Sequence, residues 1–249
     1  MTNSQDVAAT TSTSIHAQQG EAQPALVLVN LGTPTAPEPG PVRAFLREFL
    51  SDRRVIEMSP LLWKPILEGI ILRVRPREVA AKYRSIWMEE GSPLMHYTRE
   101  QARRLGERLP GVRVEVAMRY GQPSIGSVLD CLHADGVRRV AILPAYPQYA
   151  ASTVTTINDA VAQWIGRNRD GFEMRLHRSF PAAPAYIEAL AIALERHWER
   201  VGRPNFLTGD RVVVSFHSIP AAMDEAGDPY RAECRHTVAA LESRLGLAM

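Results

Sequence analysis

Five short runs rich in apolar and β-branched residues constrain the fold of this chain more than any other feature. They are Ala25–Val29, Val112–Met118, Arg139–Leu143, Phe172–Leu176 and Arg211–Phe216. Runs of this kind are typical of strands that are buried on both faces of a sheet. Amphipathic stretches lie between them, and strands that alternate with helices predict parallel β-α-β units with right-handed crossovers. The sequence therefore predicts an α/β fold.

The chain divides into a tail and two predicted domains. Residues 1–24 are rich in Ala, Thr, Ser and Gln, which predicts a disordered tail, and we place a first α/β domain over 25–170 and a second over 171–249. The second domain has only two candidate strands, whereas a sheet usually has about 4–6. We therefore expect the second domain to be incomplete in this chain, truncated at its C-terminus. The alternative is that a partner chain completes its sheet.

Local signals also predict where the helices lie. Predicted helices cover Ser124–Ala134, Ser152–Asn168, Pro184–Val201 and Pro229–Leu245. A further helix is expected to begin at Thr98, because Thr98 and Gln101 have the spacing of a capping box.

Charge and cysteine content exclude several classes of function. The formal net charge is +2, from 29 basic and 27 acidic residues, which is too balanced for general nucleic-acid binding. Cys131 and Cys234 match no Cys-x-x-Cys spacing, so we expect neither a four-thiolate cluster nor a disulfide framework, and a reducing cytoplasm is the predicted location. The most apolar stretch, residues 55–74, contains charged residues and is not a predicted membrane span.

Ligands of open α/β sheets bind beyond the carboxyl ends of the strands, so the segments that follow the runs are the candidate site. These segments are Asn30–Pro34, Arg119–Pro123, Pro144–Tyr149 and Ser215–Pro220. None of them has the Gly-x-Gly-x-x-Gly or Walker pattern, so a nucleotide site has little support.

His217 is the strongest candidate for chemistry. It follows an apolar run, and a titratable group buried at the end of a strand is costly unless the site uses it. The neighbouring Ser218 suggests a hydrolase, but the chain lacks the Gly-x-Ser-x-Gly elbow of such enzymes.

Two other segments have two interpretations each. Tyr146–Tyr149 is either a rigid loop packed on the sheet or the wall of a pocket for a flat ligand. Arg73, Arg75 and Arg77 form either a solvated basic face or the cationic rim of an apolar lip, which we place at about residues 55–75. An apolar surface with a cationic rim suits a ligand that has an apolar body and carboxylate arms.

Six motifs in order give the chain a specific resemblance. They are Leu28–Pro34, Tyr83–Trp87 leading to Gly91–Leu94, Met118–Tyr120, Tyr146–Tyr149 with Ser152 and Thr153, Ser215–Pro220, and Gly227–Tyr230. Together they resemble ferrochelatase, the family of enzymes that insert ferrous iron into a porphyrin. The resemblance extends from about Ala25 to Met249 and implies two Rossmann-like domains that face a porphyrin cleft.

The resemblance also implies roles for particular residues. His217 is expected to be the active-site histidine and to contact the metal. The residues expected to bind substrate are Leu31, Arg75, Tyr83, Ser92, Arg119, Tyr120 and Tyr149. Among these, Arg75, Tyr83 and Ser92 match positions that hold propionates. Leu31 is apolar where some relatives have a polar or thioether side chain, so it is not expected to be a metal ligand. Leu61–Leu72 matches a lip that touches membranes in relatives, which predicts peripheral membrane contact.

The implied reaction is the insertion of ferrous iron into protoporphyrin IX to give protohaem, the last step of haem synthesis. Iron is then a substrate, and no tightly bound cofactor is expected. The resemblance leaves open the iron–sulfur cluster that some relatives carry near their C-terminus. Relatives place a glutamate opposite the histidine from a region beyond the position of Met249. The alternatives are a chelatase for coproporphyrin or for cobalt, and a porphyrin- or haem-binding fragment without turnover.

Overall fold

The computed structural model describes residues 23–247. We predicted a tail over residues 1–24, and residues 1–22 of it lie outside the described residues. No helix within residues 23–247 is long and apolar enough to cross a membrane.

A parallel four-stranded sheet forms the centre of the fold. Its strands are β1 (Ala25–Gly32), β2 (Arg113–Tyr120), β3 (Arg139–Pro144) and β4 (Glu173–Leu176). Their spatial order is β2-β1-β3-β4, with every neighbouring pair parallel. The predicted α/β class and the first four predicted strands are confirmed.

Strand β1 has continuous apolar character because it lies in the middle of the sheet. Val27 and Val29 are completely buried and belong to a core that also includes Leu129 of one helix and Trp164 of another. Burying a side chain of this size contributes about 1.5–3 kcal/mol. The predicted strand therefore coincides with the most strongly stabilised part of the fold.

The helices connect and cover the strands. They are α1 (Pro39–Leu50), α2 (Pro60–Ile66), α3 (Leu72–Ile86), α4 (Pro93–Arg108), α5 (Ile125–Ala134), α6 (Thr156–Arg167), α7 (Pro184–Val201), α8 (Ala221–Glu225) and α9 (Tyr230–Leu245). Two π-helical turns, Leu67–Ile71 and Ala151–Thr155, precede α3 and α6, and a 3-10 turn covers Phe206–Thr208.

The capping box predicted at Thr98 is wrong. Helix α4 begins at Pro93, because proline is well suited to the first position of a helix, and Ser92 is its N-cap residue. Thr98 is buried inside the helix, where its hydroxyl donates to the carbonyl of Leu94 at 2.6 Å and accepts from the Asn30 amide at 2.9 Å. It therefore ties α4 to the carboxyl end of β1.

The second half of the chain differs most from the prediction. Strand β4, which we placed in the second domain, pairs with β3 in the first sheet, so that placement is wrong. The other domain bounds stay a prediction. The strand predicted at Arg211–Phe216 is absent: the segment has no sheet pairing, and Val213 is 85% exposed. A strand needs a neighbour to bind its backbone N–H and C=O groups, and no other strand lies within residues 177–247.

Helices α7 and α9 pack together to form a separate small core. Its buried members are Ile187, Ala191, Trp198, Leu241 and Leu245. Residues 177–247 therefore contain a helical pair with its own apolar contacts, together with a 3-10 turn, the short helix α8 and a segment, 210–220, that is neither helix nor strand.

Candidate active site

The carboxyl ends of the parallel strands bring three of the four predicted segments to one edge of the sheet. Asn30–Pro34 follows β1, Arg119–Pro123 contains the end of β2, and Pro144–Tyr149 follows β3. Gly32 and Tyr120 are paired across β1 and β2. Gly32 has φ +111°, and a Cβ atom there would lie 1.8 Å from the carbonyl oxygen of Tyr120. Only glycine permits this approach of the two strands.

A buried carboxylate stands at the centre of this edge. Asp52, which follows α1, accepts from Arg119 Nη2 at 2.5 Å and from the Tyr120 hydroxyl at 2.9 Å, both on Oδ2. Its Oδ1 accepts from the backbone N–H of Arg54 at 2.8 Å. A second hydrogen bond connects α1 to the segment after β2: the carboxylate of Glu48 accepts from the backbone N–H of Gly121 at 2.8 Å.

Tyr120 and Arg119 differ in what they present to a ligand. The side chain of Arg119 is 19% exposed, whereas Tyr120 is completely buried and packs edge-on against Phe49 with ring centroids 5.2 Å apart. Burial raises the pKa of the Tyr120 phenol far above its ordinary value. In this structure Tyr120 presents no surface to a substrate, and its hydroxyl helps to hold Asp52. Arg119 is the member of the pair that a ligand can reach.

The residues expected to hold propionates occupy α3 and the start of α4. Tyr83 is half-buried on α3, and burial raises the pKa of its phenol. Arg75 is exposed on α3, as are Arg73 and Arg77. Ser92 is buried at the N-cap of α4. The three residues expected to bind propionates thus lie in consecutive elements, but with very different exposure.

Leu31 is partly exposed near the end of β1, next to Gly32. Leu31 thus lies at the carboxyl edge of the sheet, and its contact with a substrate stays a prediction.

The loop Tyr146–Tyr149 fits both of the interpretations that we gave it. Tyr146 packs against the core of the sheet, and burial raises the pKa of its phenol strongly. Gln148 is buried and donates to the Thr237 hydroxyl at 2.8 Å. Tyr149 instead lines a cavity of about 440 Å³ together with Arg178, and the guanidinium of Arg178 lies 4.4 Å from the centre of its ring. The first half of the loop is therefore packed and its end is open.

Two carboxylates from the second half of the chain hold this loop in place. Glu233, which is buried on α9, accepts from the backbone N–H of Tyr149 at 2.7 Å and from Arg178 Nη1 at 2.7 Å. Asp228 accepts from the backbone N–H of Ala151 at 2.7 Å. Helix α9 is thereby fixed to the edge of the sheet.

Sequence reasoning missed the roles of these carboxylates. The sequence contains no local signal for Asp52, because its partner Arg119 is 67 positions away. The role of Glu233 could not be predicted either, because an acidic residue at this position of a predicted helix is also typical of a solvent-exposed side chain. Asp228 lies in the motif Gly227–Tyr230, which marked it as notable without indicating a partner.

His217 occupies a different environment from the one expected. It is exposed within the segment 210–220, which is neither helix nor strand, so it does not end a buried strand. Its Nδ1 lies 2.7 Å from the carbonyl oxygen of Ser218. A carbonyl oxygen only accepts, so this contact assigns the proton of the neutral imidazole to Nδ1 and leaves the lone pair on Nε2.

A largely apolar cavity of about 600 Å³ lies beside His217. Its apolar walls come from Val214, Phe216, Ile219 and Val238. Tyr230 of α9 also lines it, and burial raises the pKa of its phenol to about 12. An apolar cavity beside an imidazole with a free lone pair is suited to a large apolar ligand that carries a proton donor or a metal.

The structure does not bring His217 together with the other predicted site residues. The cavity that His217 lines contains none of the seven predicted substrate-binding residues. Helix α8 and the turn after it separate this cavity from the one lined by Tyr149, since Asp224 faces the first and Met223 the second. Within residues 23–247 no group of three or more His, Cys, Asp or Glu side chains is arranged to hold a metal ion.

The apolar lip, Leu61–Leu72, contains several strongly exposed apolar side chains. Leu61 and Leu62 are 87% and 65% exposed, and Ile70 is also exposed. The Trp63 indole N–H donates to the carbonyl of Leu50 at 2.7 Å, which fixes α2 against α1. The lip therefore presents leucines outward from a fixed base.

Comparison with known proteins agrees with this architecture. The sequence profile of the Ferrochelatase family matches residues 23–249. The chain is 48% identical over 236 residues to the ferrochelatase of Methylibium petroleiphilum, covering 93% of this chain and 64% of that protein. It is 46% identical to the ferrochelatase of Azoarcus sp. (strain BH72), again covering 64% of that protein. The ferrochelatase of Stenotrophomonas maltophilia is 45% identical, and 68% of it is covered. The chain thus spans about two-thirds of the length of these relatives, and it belongs to the ferrochelatase family.

Proposed function

We propose that this protein inserts ferrous iron into protoporphyrin IX to give protohaem. The observation that carries the proposal is the family match over residues 23–249, which includes all six motifs. The structure supports it with an edge of the sheet where Leu31, Arg119 and Tyr149 lie on neighbouring strand ends or the loop that follows.

The proposed chemistry is a proton-for-metal exchange. Two pyrrole N–H groups lose their protons, and the ferrous ion binds the four ring nitrogens that then carry the negative charge. His217 Nε2 is the proposed acceptor of one pyrrole proton, because the contact between Nδ1 and Ser218 leaves the lone pair on Nε2. The second pyrrole proton passes to solvent water. Binding energy from the rest of the ring is available to bend it towards the metallated shape.

The test is an anaerobic steady-state assay of this protein with ferrous iron and protoporphyrin IX. His217→Ala should lower kcat at least about 100-fold, the usual contribution of a general base. His236→Ala is the matched control, because His236 is exposed on α9, and it should leave the rate within about twofold. A wild-type rate in His217→Ala would contradict the role of His217, and no insertion by the wild-type protein would contradict the function.

A second candidate is binding of a porphyrin or haem without insertion. The apolar cavity beside His217 favours it, since such a cavity and an imidazole suffice to hold a metalloporphyrin. Tight binding of protoporphyrin IX without product in the same assay would support this candidate. Product formed only with cobalt, or only with coproporphyrin, would instead identify a related chelatase.

Peripheral membrane contact through the apolar lip is a further part of the proposal. The exposed Leu61 and Leu62 support it, because apolar side chains exposed on a helix can enter the surface of a bilayer. Contact with lipid would also suit a poorly soluble porphyrin product.

A further inference from the structure

We propose that Asp52 is the residue that positions Arg119 for the porphyrin. The inference rests on the proposed function, because it concerns how that ligand meets the carboxyl edge of the sheet. Asp52 itself does not contact the ligand: its side chain is only 9% exposed, and both of its oxygens are already bound.

The geometry makes Asp52 the link between the turn after α1 and the end of β2. Its backbone carbonyl accepts from the N–H groups of Val55 and Ile56 at 3.0 and 2.9 Å, which fixes the turn after α1. Its carboxylate binds Arg119 and Tyr120 at the end of β2. Because the backbone and the carboxylate of Asp52 are both held by hydrogen bonds, the carboxylate keeps the Arg119 guanidinium in one position. Without this partner the arginine side chain would be free to rotate.

Two buried donors at or near Arg119 have no hydrogen-bond partner within residues 23–247. They are Arg119 Nε and the Tyr146 hydroxyl. The positive charge of Arg119 also acts on Tyr146. Buried donors without partners are costly and are found where a ligand or a water is bound.

Two effects of Asp52 on an anionic ligand oppose each other. Its negative charge weakens the attraction between Arg119 and the carboxylate arms of a porphyrin, while its hydrogen bonds keep Arg119 in place. We expect the second effect to dominate, because the pair is mostly buried and removing one partner leaves a misplaced and unpaired charge. The two effects predict opposite results for Asp52→Asn, which removes the charge but retains one acceptor.

The experiment is a fluorescence titration of the full chain with protoporphyrin IX. Compared with the wild type, Asp52→Ala and Arg119→Ala should each raise Kd about tenfold or more, and Asp52→Asn should raise it by less. Asp52→Glu, which retains the carboxylate, should recover part of the affinity. Asp159→Asn is the matched control, because it breaks the half-exposed ion pair with Arg54 and should leave Kd within about twofold.

A double-mutant cycle separates positioning from a merely structural role. If Asp52 acts through Arg119, Asp52→Asn should not raise Kd further in an Arg119→Ala background. Additive losses of binding free energy in the double variant would overturn the inference. It would also be overturned if Asp52→Asn bound protoporphyrin IX as tightly as the wild type while Arg119→Ala bound it weakly. Urea unfolding of each variant checks that the chain is folded, and Asp52→Asn and Asp52→Glu carry the test if Asp52→Ala does not fold. If the wild-type protein did not bind protoporphyrin IX, the proposed function itself would be contradicted. If the wild type binds and only the variants fail to follow the expected pattern, the role of Asp52 alone is contradicted.

Discussion

The close approach of β1 and β2 at Gly32 can be tested by adding a single methyl group. In Gly32→Ala the Cβ would lie 1.8 Å from the Tyr120 carbonyl oxygen, and real Cβ contacts are not shorter than 3.0 Å, so the strand ends must separate by about 1.2 Å. The residue also has φ +111°, which costs an alanine about 1–3 kcal/mol. Separation weakens the strand pairing at about 1 kcal/mol per hydrogen bond. We expect a loss of about 3–5 kcal/mol in the free energy of unfolding.

Gly91 provides the matched control. It has φ +108°, nearly the value at Gly32, but a Cβ atom there would have no neighbour within 4 Å. Gly91→Ala therefore reports the backbone strain alone, about 1–3 kcal/mol, partly offset by about 0.4–1 kcal/mol from the stiffer unfolded chain. Urea unfolding followed by tryptophan fluorescence should show Gly32→Ala as less stable than Gly91→Ala by at least about 2 kcal/mol, or roughly 1 M in the urea midpoint. Equal losses in the two variants would refute the argument that the strand approach requires glycine.

Two further predictions concern buried phenols and the apolar lip. Burial raises the phenol pKa of Tyr83, Tyr120, Tyr146 and Tyr230. An unfolded tyrosine loses its proton near pH 10, whereas the raised pKa of Tyr230 in the folded state is about 12. Between these two pH values the folded state binds more protons than the unfolded state. The contribution of Tyr230 to stability should therefore be complete below about pH 10 and be lost as the pH rises to about 12. Tyr230→Phe should reduce that slope in urea midpoints measured against pH, and an unchanged slope would contradict this role for Tyr230. In sedimentation with lipid vesicles, replacing Leu61 and Leu62 by serine should weaken binding at least about tenfold, whereas Leu207→Ser, a 98% exposed leucine outside the lip, should not. Equal binding by all of these variants would exclude the lip as the contact.

The contrast between Ala25–Val29 and Arg211–Phe216 shows what the sequence can predict about this sheet. Both segments have the apolar pattern of a buried strand, and the first becomes the centre of the sheet, with β2 and β3 on its two sides. The second stays unpaired, because its backbone groups meet no neighbouring strand within the described residues. Local pattern thus predicts the tendency to form a strand, while pairing depends on segments far away in the sequence.

The same distinction explains the candidate site. The strand-end rule correctly predicted that Asn30–Pro34, Arg119–Pro123 and Pro144–Tyr149 share one edge, because it depends only on parallel topology. It could not predict that Asp52 holds Arg119 or that Tyr120 is buried, since both facts depend on how α1 and the following turn pack against β2. The local signal at Thr98 failed for a related reason, because Pro93 and Ser92 supply an earlier helix start.

Helix α9 connects the two separate parts of the proposed site. Glu233 on one side of the helix holds the backbone of Tyr149 at the edge of the sheet. Tyr230 and Cys234, on α9 as well, line the cavity of His217. A shift of this helix would therefore move the loop beside the sheet and the wall of the histidine cavity together. The carboxylates of Glu233 and Asp228 already accept the backbone N–H groups of Tyr149 and Ala151. We therefore expect them to hold the loop beside the sheet rather than to exchange protons with the porphyrin.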